Sequence, residues 1–177
     1  MRKAAFLDRD GTINVDTGYC YKVEDFNFLP NVVTGLKKIQ ELGYHLILAS
    51  NQSGIGRGYY TERDMHDLHS YMKSELRKRG VDILNIYFCP HHPEARIEEF
   101  RKVCDCRKPE CGMLLRGAHD FSLDISSCYM IGDKASDITA GKSAGARTIF
   151  VGKGGSDADY TAIDLVEAAR YMENAGF

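Results

Sequence analysis

No stretch of the chain approaches the ~20 consecutive apolar residues of a membrane-spanning helix, so no membrane segment is expected. Positive charge is not in excess either: 23 Lys and Arg stand against 25 Asp and Glu, a net charge of −2. A nucleic-acid-binding module needs a basic face to neutralise phosphates, and no Lys/Arg run longer than three residues supplies one, so no nucleic-acid partner is expected. No secretory signal is expected either. Met1-Arg2-Lys3 runs straight into the apolar Ala4-Ala5-Phe6-Leu7, and an acid follows at Asp8. A cytoplasmic location is the expectation. Internal repeats and low-complexity tracts are absent. With 177 residues, 44% of them hydrophobic, a single domain over 1–177 is expected, burying roughly 70% of the unfolded chain's surface.

Six cysteines are present: Cys20, Cys89, Cys104, Cys106, Cys111 and Cys128. Without a secretion signal they read as thiols or metal ligands rather than as disulfides.

Short apolar runs alternate with helical patterns. Strands are predicted at 4–7, 45–50, 85–89, 128–131 and 148–151. A helix is predicted over 31–42, with Val33, Leu36, Ile39 and Leu42 at helical spacing and Gly43 as its stop. A second runs from Thr61, as N-cap, to Arg79, with Met65, Leu68, Met72 and Leu76 on one face and Gly80 beyond. Further helices are predicted at 112–120, 135–144 and 160–173. This alternation predicts an α/β fold, a doubly wound parallel sheet with helices on both faces. Ligands bind such sheets beyond the carboxyl ends of the strands, and Asp8, Ser50 and Asp133 all sit there. Only 18 residues separate Thr12 from Asn31, too few for a cap domain, so an open site without a large lid is expected.

The densest chemistry is Asp8-Arg9-Asp10-Gly11-Thr12, directly after the first strand. Two carboxylates two residues apart can divide labour at one reacting atom, Asp8 as nucleophile and Asp10 as proton shuttle. Gly11 lets the backbone turn sharply against a ligand. The pair suggests phosphoryl transfer through an aspartyl-phosphate. A phospho-switch module would need no acid/base beside Asp8, so Asp10 argues for an enzyme.

Three more segments follow: Ser50-Asn51-Gln52, Arg107-Lys108-Pro109 and Gly132-Asp133-Lys134. Together with Asp8–Thr12, and in this order, they resemble the haloacid dehalogenase (HAD) superfamily of phosphatases. The resemblance implies a HAD-type, Rossmann-like fold and catalytic roles for Asp8, Asp10, Ser50 and Lys108. It places Mg²⁺ on Asp8, the Asp10 carbonyl and Asp133, and hard oxygen ligands suit that ion. Ser50 and Lys108 would hold phosphoryl oxygens. Asp137 reads either as a water-mediated Mg²⁺ contact or as a helix-start carboxylate favoured by the macrodipole. Arg107 and Lys134 are more cations than one monophosphate needs. The stretch Gly54-Ile55-Gly56-Arg57-Gly58 reads as a phosphate-touching loop or as a plain connection.

A Cys-x-His pair, Cys89 and His91, precedes a Cys-x-Cys pair, Cys104 and Cys106. Four soft or borderline ligands are the count of a closed structural Zn²⁺ site. The twelve residues between His91 and Cys104 contain few apolar side chains, so a zinc-stabilised loop over about 89–107 is expected. His92 could serve in place of His91; the resemblance favours His91.

Within the superfamily, the segments 6–14, 51–58, 89–93 and 104–109 resemble the heptose-bisphosphate phosphatases, with the histidinol-phosphate phosphatases as the alternative. That resemblance implies a small sugar bisphosphate as substrate. It carries substrate contacts onto Asp16, Thr17, Gly18 and Tyr19, onto Ser50, Asn51, Gln52 and Ser53, and onto Arg107, Lys108 and Lys134. Nothing in the sequence calls for more than a monomer.

Overall fold

The structure, a computed structural model, describes residues 2–154 and 157–176. Its centre is one six-stranded parallel sheet in the order β3-β2-β1-β4-β5-β6. The strands are β1 (Ala4–Leu7), β2 (His45–Asn51), β3 (Ile83–Cys89), β4 (Tyr129–Gly132), β5 (Arg147–Val151) and β6 (Tyr160–Ala162). The helices are α1 (Val32–Glu41), α2 (Ser53–Gly56), α3 (Glu62–Lys78), α4 (Gly112–Asp120), α5 (Ala135–Ala144) and α6 (Leu165–Asn174). Among them, none is long and apolar enough to cross a membrane.

The two faces of the sheet follow from the twofold period of a strand. Ala5 and Leu7 of β1 join a core with Leu36 and Ile39 of α1, Leu68 and Met72 of α3, and Leu165 and Met172 of α6. Ala4 and Phe6 point the other way, into a core with Met113 and Leu114 of α4 and Ala144 of α5. Every side chain of β1 is fully buried, as expected of a parallel strand covered on both sides.

Local signals set the helix ends. Thr61 caps α3 by accepting from the Asp64 N–H, and the Asp64 carboxylate accepts from the Thr61 N–H in return. Residues 160–173 correct the expectation of one helix. Tyr160–Ala162 is β6, in register with Ile149–Val151 of β5. Helix α6 begins only after Asp164, whose Oδ1 accepts from the N–H groups of Val166 and Glu167 at 2.9 Å each. Edge pairing with β5 outweighed a helical pattern that starts three residues later. The glycine-rich stretch after β2 is no plain connection: it forms the single-turn helix α2, with Gly54, Ile55 and Gly56 buried.

Candidate active site

Strand order brings the chemistry together. β1 lies between β2 and β4, with Leu7 beside Leu48 and Ile131, so Asp8, Ser50 and Asp133 emerge from neighbouring strand ends. The Asp8 N–H donates to the Ile131 carbonyl at 3.0 Å. Gly11 turns at φ +90°, and a Cβ there would collide with the Asp133 carboxylate.

Lys108 arrives from the loop before α4 and is 3% exposed. Its backbone is clamped by Asn51, whose Oδ1 accepts from the Lys108 N–H at 3.0 Å while Nδ2 donates to the Lys108 carbonyl at 2.9 Å. Lys108 Nζ then donates to Asp8 Oδ1 at 2.8 Å. It also lies 2.6 Å from Asp137 Oδ1, a close ion contact whose alignment falls short of a hydrogen bond. Burial works against the ammonium, but the Asp8 and Asp137 carboxylates outweigh it and raise its pKa. Asp137 fills the helix-start role, its Oδ2 accepting from the Lys134 N–H at 3.0 Å, while its Oδ1 faces Lys108.

Asp8, Asp133 and Asp137 each place a carboxylate oxygen within 4.8 Å of the others. Lys108 contributes one positive charge against the three. Burial, reinforced by the Asp8 and Asp137 charges, pushes Asp133 up to about 6 despite Lys134. Asp133 Oδ1 is buried without a hydrogen-bond partner. An orphaned oxygen in an acid-rich pocket fits a hard divalent cation such as Mg²⁺.

Asp10 is held at both oxygens. Arg9 Nη2 reaches Oδ2 at 2.9 Å, and Asn14 Nδ2 donates to Oδ1 at 2.9 Å. Arg9 is itself 1% exposed. It donates to the Cys20 carbonyl at 2.6 Å and meets His69 Nε2 of α3 at 3.0 Å. Burial first, then the Arg9 charge, lowers the His69 pKa to about 3, so a neutral imidazole accepts this hydrogen bond. Arg9 thus ties Asp10 and the end of the 16–20 loop to α3.

A cavity of about 310 Å³ opens above these groups. Its wall includes Asp10, Asp16, Gly18, Tyr19, Asn51, Gln52, Ser53, Arg107, Lys108 and Lys134. Lys134 Nζ donates to Asp16 Oδ2 at 3.0 Å. Two residues expected at the substrate are not in that wall. Thr17 is exposed outside it, and Ser50 is 1% exposed with Oγ accepting from Gln52 Nε2 at 2.8 Å. Tyr60 and Ser136 line the cavity as well; no sequence signal singles them out. Arg9, Asn14 and His69 were also missed. Arg9 sits inside the Asp8–Thr12 motif, where only its neighbours carried an evident chemical role.

The cysteine-histidine loop closes on itself. Cys89 Sγ lies 3.5 Å from Cys104 Sγ and 3.2 Å from Cys106 Sγ, Cys104 and Cys106 are 3.3 Å apart, and His91 Nδ1 is 3.4 Å from Cys106 Sγ. None of these cysteines is in a disulfide. A tetrahedral site with Zn–S near 2.3 Å implies sulfur–sulfur edges of about 3.8 Å; the sulfurs here lie closer together than that, and it is the donor set, three sulfurs and one imidazole nitrogen, that fits the ion. The contact between Cys89 and Cys106 holds the Cys106 thiol below its usual range and raises that of Cys89, so one thiolate, on Cys106, is favoured within the pair. His92 faces away toward Arg57.

The HAD-hydrolase-like family pattern matches residues 105–173. The D-glycero-alpha-D-manno-heptose-1,7-bisphosphate 7-phosphatase of Photorhabdus laumondii is 46% identical over 153 residues, 86% of this chain and 84% of that protein. The D-glycero-beta-D-manno-heptose-1,7-bisphosphate 7-phosphatase of the same organism is 47% identical over 137 residues, 77% and 73% of the two chains. A solved D,D-heptose 1,7-bisphosphate phosphatase from B. bronchiseptica, complexed with magnesium and phosphate, superposes with a TM-score of 0.85. It is 26% identical and covers 99% of this chain and 100% of its own.

Proposed function

This chain belongs to the HAD-type D-glycero-D-manno-heptose-1,7-bisphosphate 7-phosphatases, which are phosphoric monoester hydrolases, and from that membership we propose that it removes the 7-phosphate of the heptose bisphosphate through an aspartyl-phosphate. One domain would carry the whole site. The observation that supports the mechanism best is Asp8: it is held on one oxygen by buried Lys108, a residue of the cation-rich cavity wall, and it faces Asp133.

The Asp8 oxygen not held by Lys108 bonds phosphorus as the bond from phosphorus to the sugar oxygen breaks. Asp10, protonated for this step, gives its proton to that departing oxygen. Asp10 then takes a proton from water, whose oxygen bonds phosphorus as the acyl-phosphate bond to Asp8 breaks. Arg9 and Asn14 keep the Asp10 carboxyl aimed for both transfers. Lys108 and the Ser50 hydroxyl donate to phosphoryl oxygens, where charge develops. Asp8, the Asp10 carbonyl and Asp133 would hold Mg²⁺, which offsets phosphate charge when bound. Arg107 and Lys134 add the positive charge that a second phosphate calls for. Cys89, His91, Cys104 and Cys106 would hold Zn²⁺ and so fix Arg107 and Lys108, which follow directly in the chain.

The test is phosphate release with Mg²⁺ from both anomers of heptose 1,7-bisphosphate and from histidinol phosphate, with Asp8→Asn as the blank. Release of one phosphate from the heptose bisphosphate by the wild type alone is expected. It also decides the anomer, because relatives of both kinds are about equally similar. Preference for histidinol phosphate would overturn the substrate, and turnover by Asp8→Asn would overturn the covalent mechanism.

A further inference from the structure

We propose that Arg57 and His92 form, together with Arg107, an outer clamp for the second phosphate of the sugar bisphosphate. This rests on the bisphosphate reading above and deepens it. Of the cations around the substrate cavity, Lys108 is tied to Asp8 and Asp137, and Lys134 to Asp16. Arg107 in the cavity wall, and Arg57 outside that wall, have no carboxylate within ion-pair distance among the described residues. Two guanidiniums thus stand without counter-charge at one edge of the site.

Arg57 is half-buried, and its Nε is buried with no hydrogen-bond partner. Its Nη2 lies 3.1 Å from His92 Nε2. The other His92 ring nitrogen, Nδ1, meets the Glu94 N–H at 3.0 Å. A neutral imidazole has one acceptor nitrogen and one N–H, yet both His92 nitrogens face donors. One of the two contacts therefore sets donor against donor. An anionic oxygen beside Arg57 Nη2 and His92 removes that conflict, because it accepts from both.

The position suits the far end of a bisphosphate. The Arg57 N–H donates to the Ser53 carbonyl at 3.0 Å, which places Arg57 one helical turn from a residue of the cavity wall. His92 follows His91, whose carbonyl accepts from Arg107 Nη1 at 3.3 Å. Nor is the pair loose. The Ile97 N–H donates to the Gly56 carbonyl at 3.0 Å, locking α2 to the cysteine-histidine loop. Guanidinium groups match phosphate oxygens in geometry as well as charge.

The experiment compares kcat/KM for heptose 1,7-bisphosphate and heptose 7-phosphate in the wild type, Arg57→Met and His92→Asn. Each variant should lose at least about tenfold more on the bisphosphate than on the monophosphate, the scale of one charge-assisted hydrogen bond, with most of the selective loss in KM. Equal losses on both substrates, or none on either, would overturn the clamp. His92→Asn leaves Arg57 and its packing in place, so it carries the test if Arg57→Met fails to fold. A wild type that ignores the bisphosphate would remove the function proposed above, and the clamp with it. A wild type that prefers the bisphosphate, with unselective variants, would remove the clamp alone.

Discussion

Replacing His69 by Gln tests the buried network behind Asp10. His69 is 4% exposed and sits 3.0 Å from the Arg9 guanidinium. Burial and that charge lower its pKa from 6.5 to about 3. Between those values the unfolded chain binds a proton at His69 and the folded protein does not. Unfolding therefore takes up a proton, and stability rises with pH across the window. The contribution is complete above pH 6.5 and is lost as pH falls toward 3. Its slope is ~1.4 kcal/mol per pH unit. Integrated from pH 7 to pH 5, this is about 2 kcal/mol, or roughly 4–8 °C in Tm for a chain of this length. Glutamine carries no charge at either pH, and its Oε1 can still accept from Arg9. Urea unfolding of both proteins at pH 7 and pH 5, with equal metal content, isolates the effect. The stability difference should move by about 2 kcal/mol in favour of the variant on acidification. An identical difference at both pH values would refute a histidine held neutral beside Arg9.

Two further outcomes follow from the site. Lys108→Met leaves the buried Asp8 and Asp137 carboxylates, with Asp133 close by, without their ammonium; without divalent cation it should cost ~3–5 kcal/mol, and Mg²⁺ should restore part of that. Turnover should fall about 100-fold or more, and a variant that melts like the wild type in metal-free buffer would contradict the charge argument. Cys106→Ser should lower both zinc content and melting temperature and should raise KM, since Arg107 and Lys108 follow directly; unchanged melting and metal content would rule out a structural metal there.

Much of this was legible in the chain because the signals are local. The period of α3, its Thr61–Asp64 cap and the apolar runs of β1, β2 and β4 need only near neighbours. The same is true of Asp8-x-Asp10-Gly11 and of the paired cysteine motifs, whose spacing restricts what each short segment can do. β6 was misread because a three-residue edge strand gains its identity only from pairing with β5. Helix α2 was misread because its glycines are helical only where packing buries them.

The sequence by itself determined the fold class, the two carboxylates, the paired cysteine and histidine motifs and the excess of cations near the site. It could do so because side-chain chemistry and hydrophobic period are carried residue by residue. Tertiary structure alone decided which groups meet. It sent Asn51 to clamp the Lys108 backbone, Asp137 to face Lys108, and His69 of α3 to accept from Arg9 beside Asp10. These contacts join residues 29 to 60 positions apart, and no spacing rule reaches that far. The charge balance of the site, and so its protonation, exists only once the parallel sheet has set those strand ends side by side.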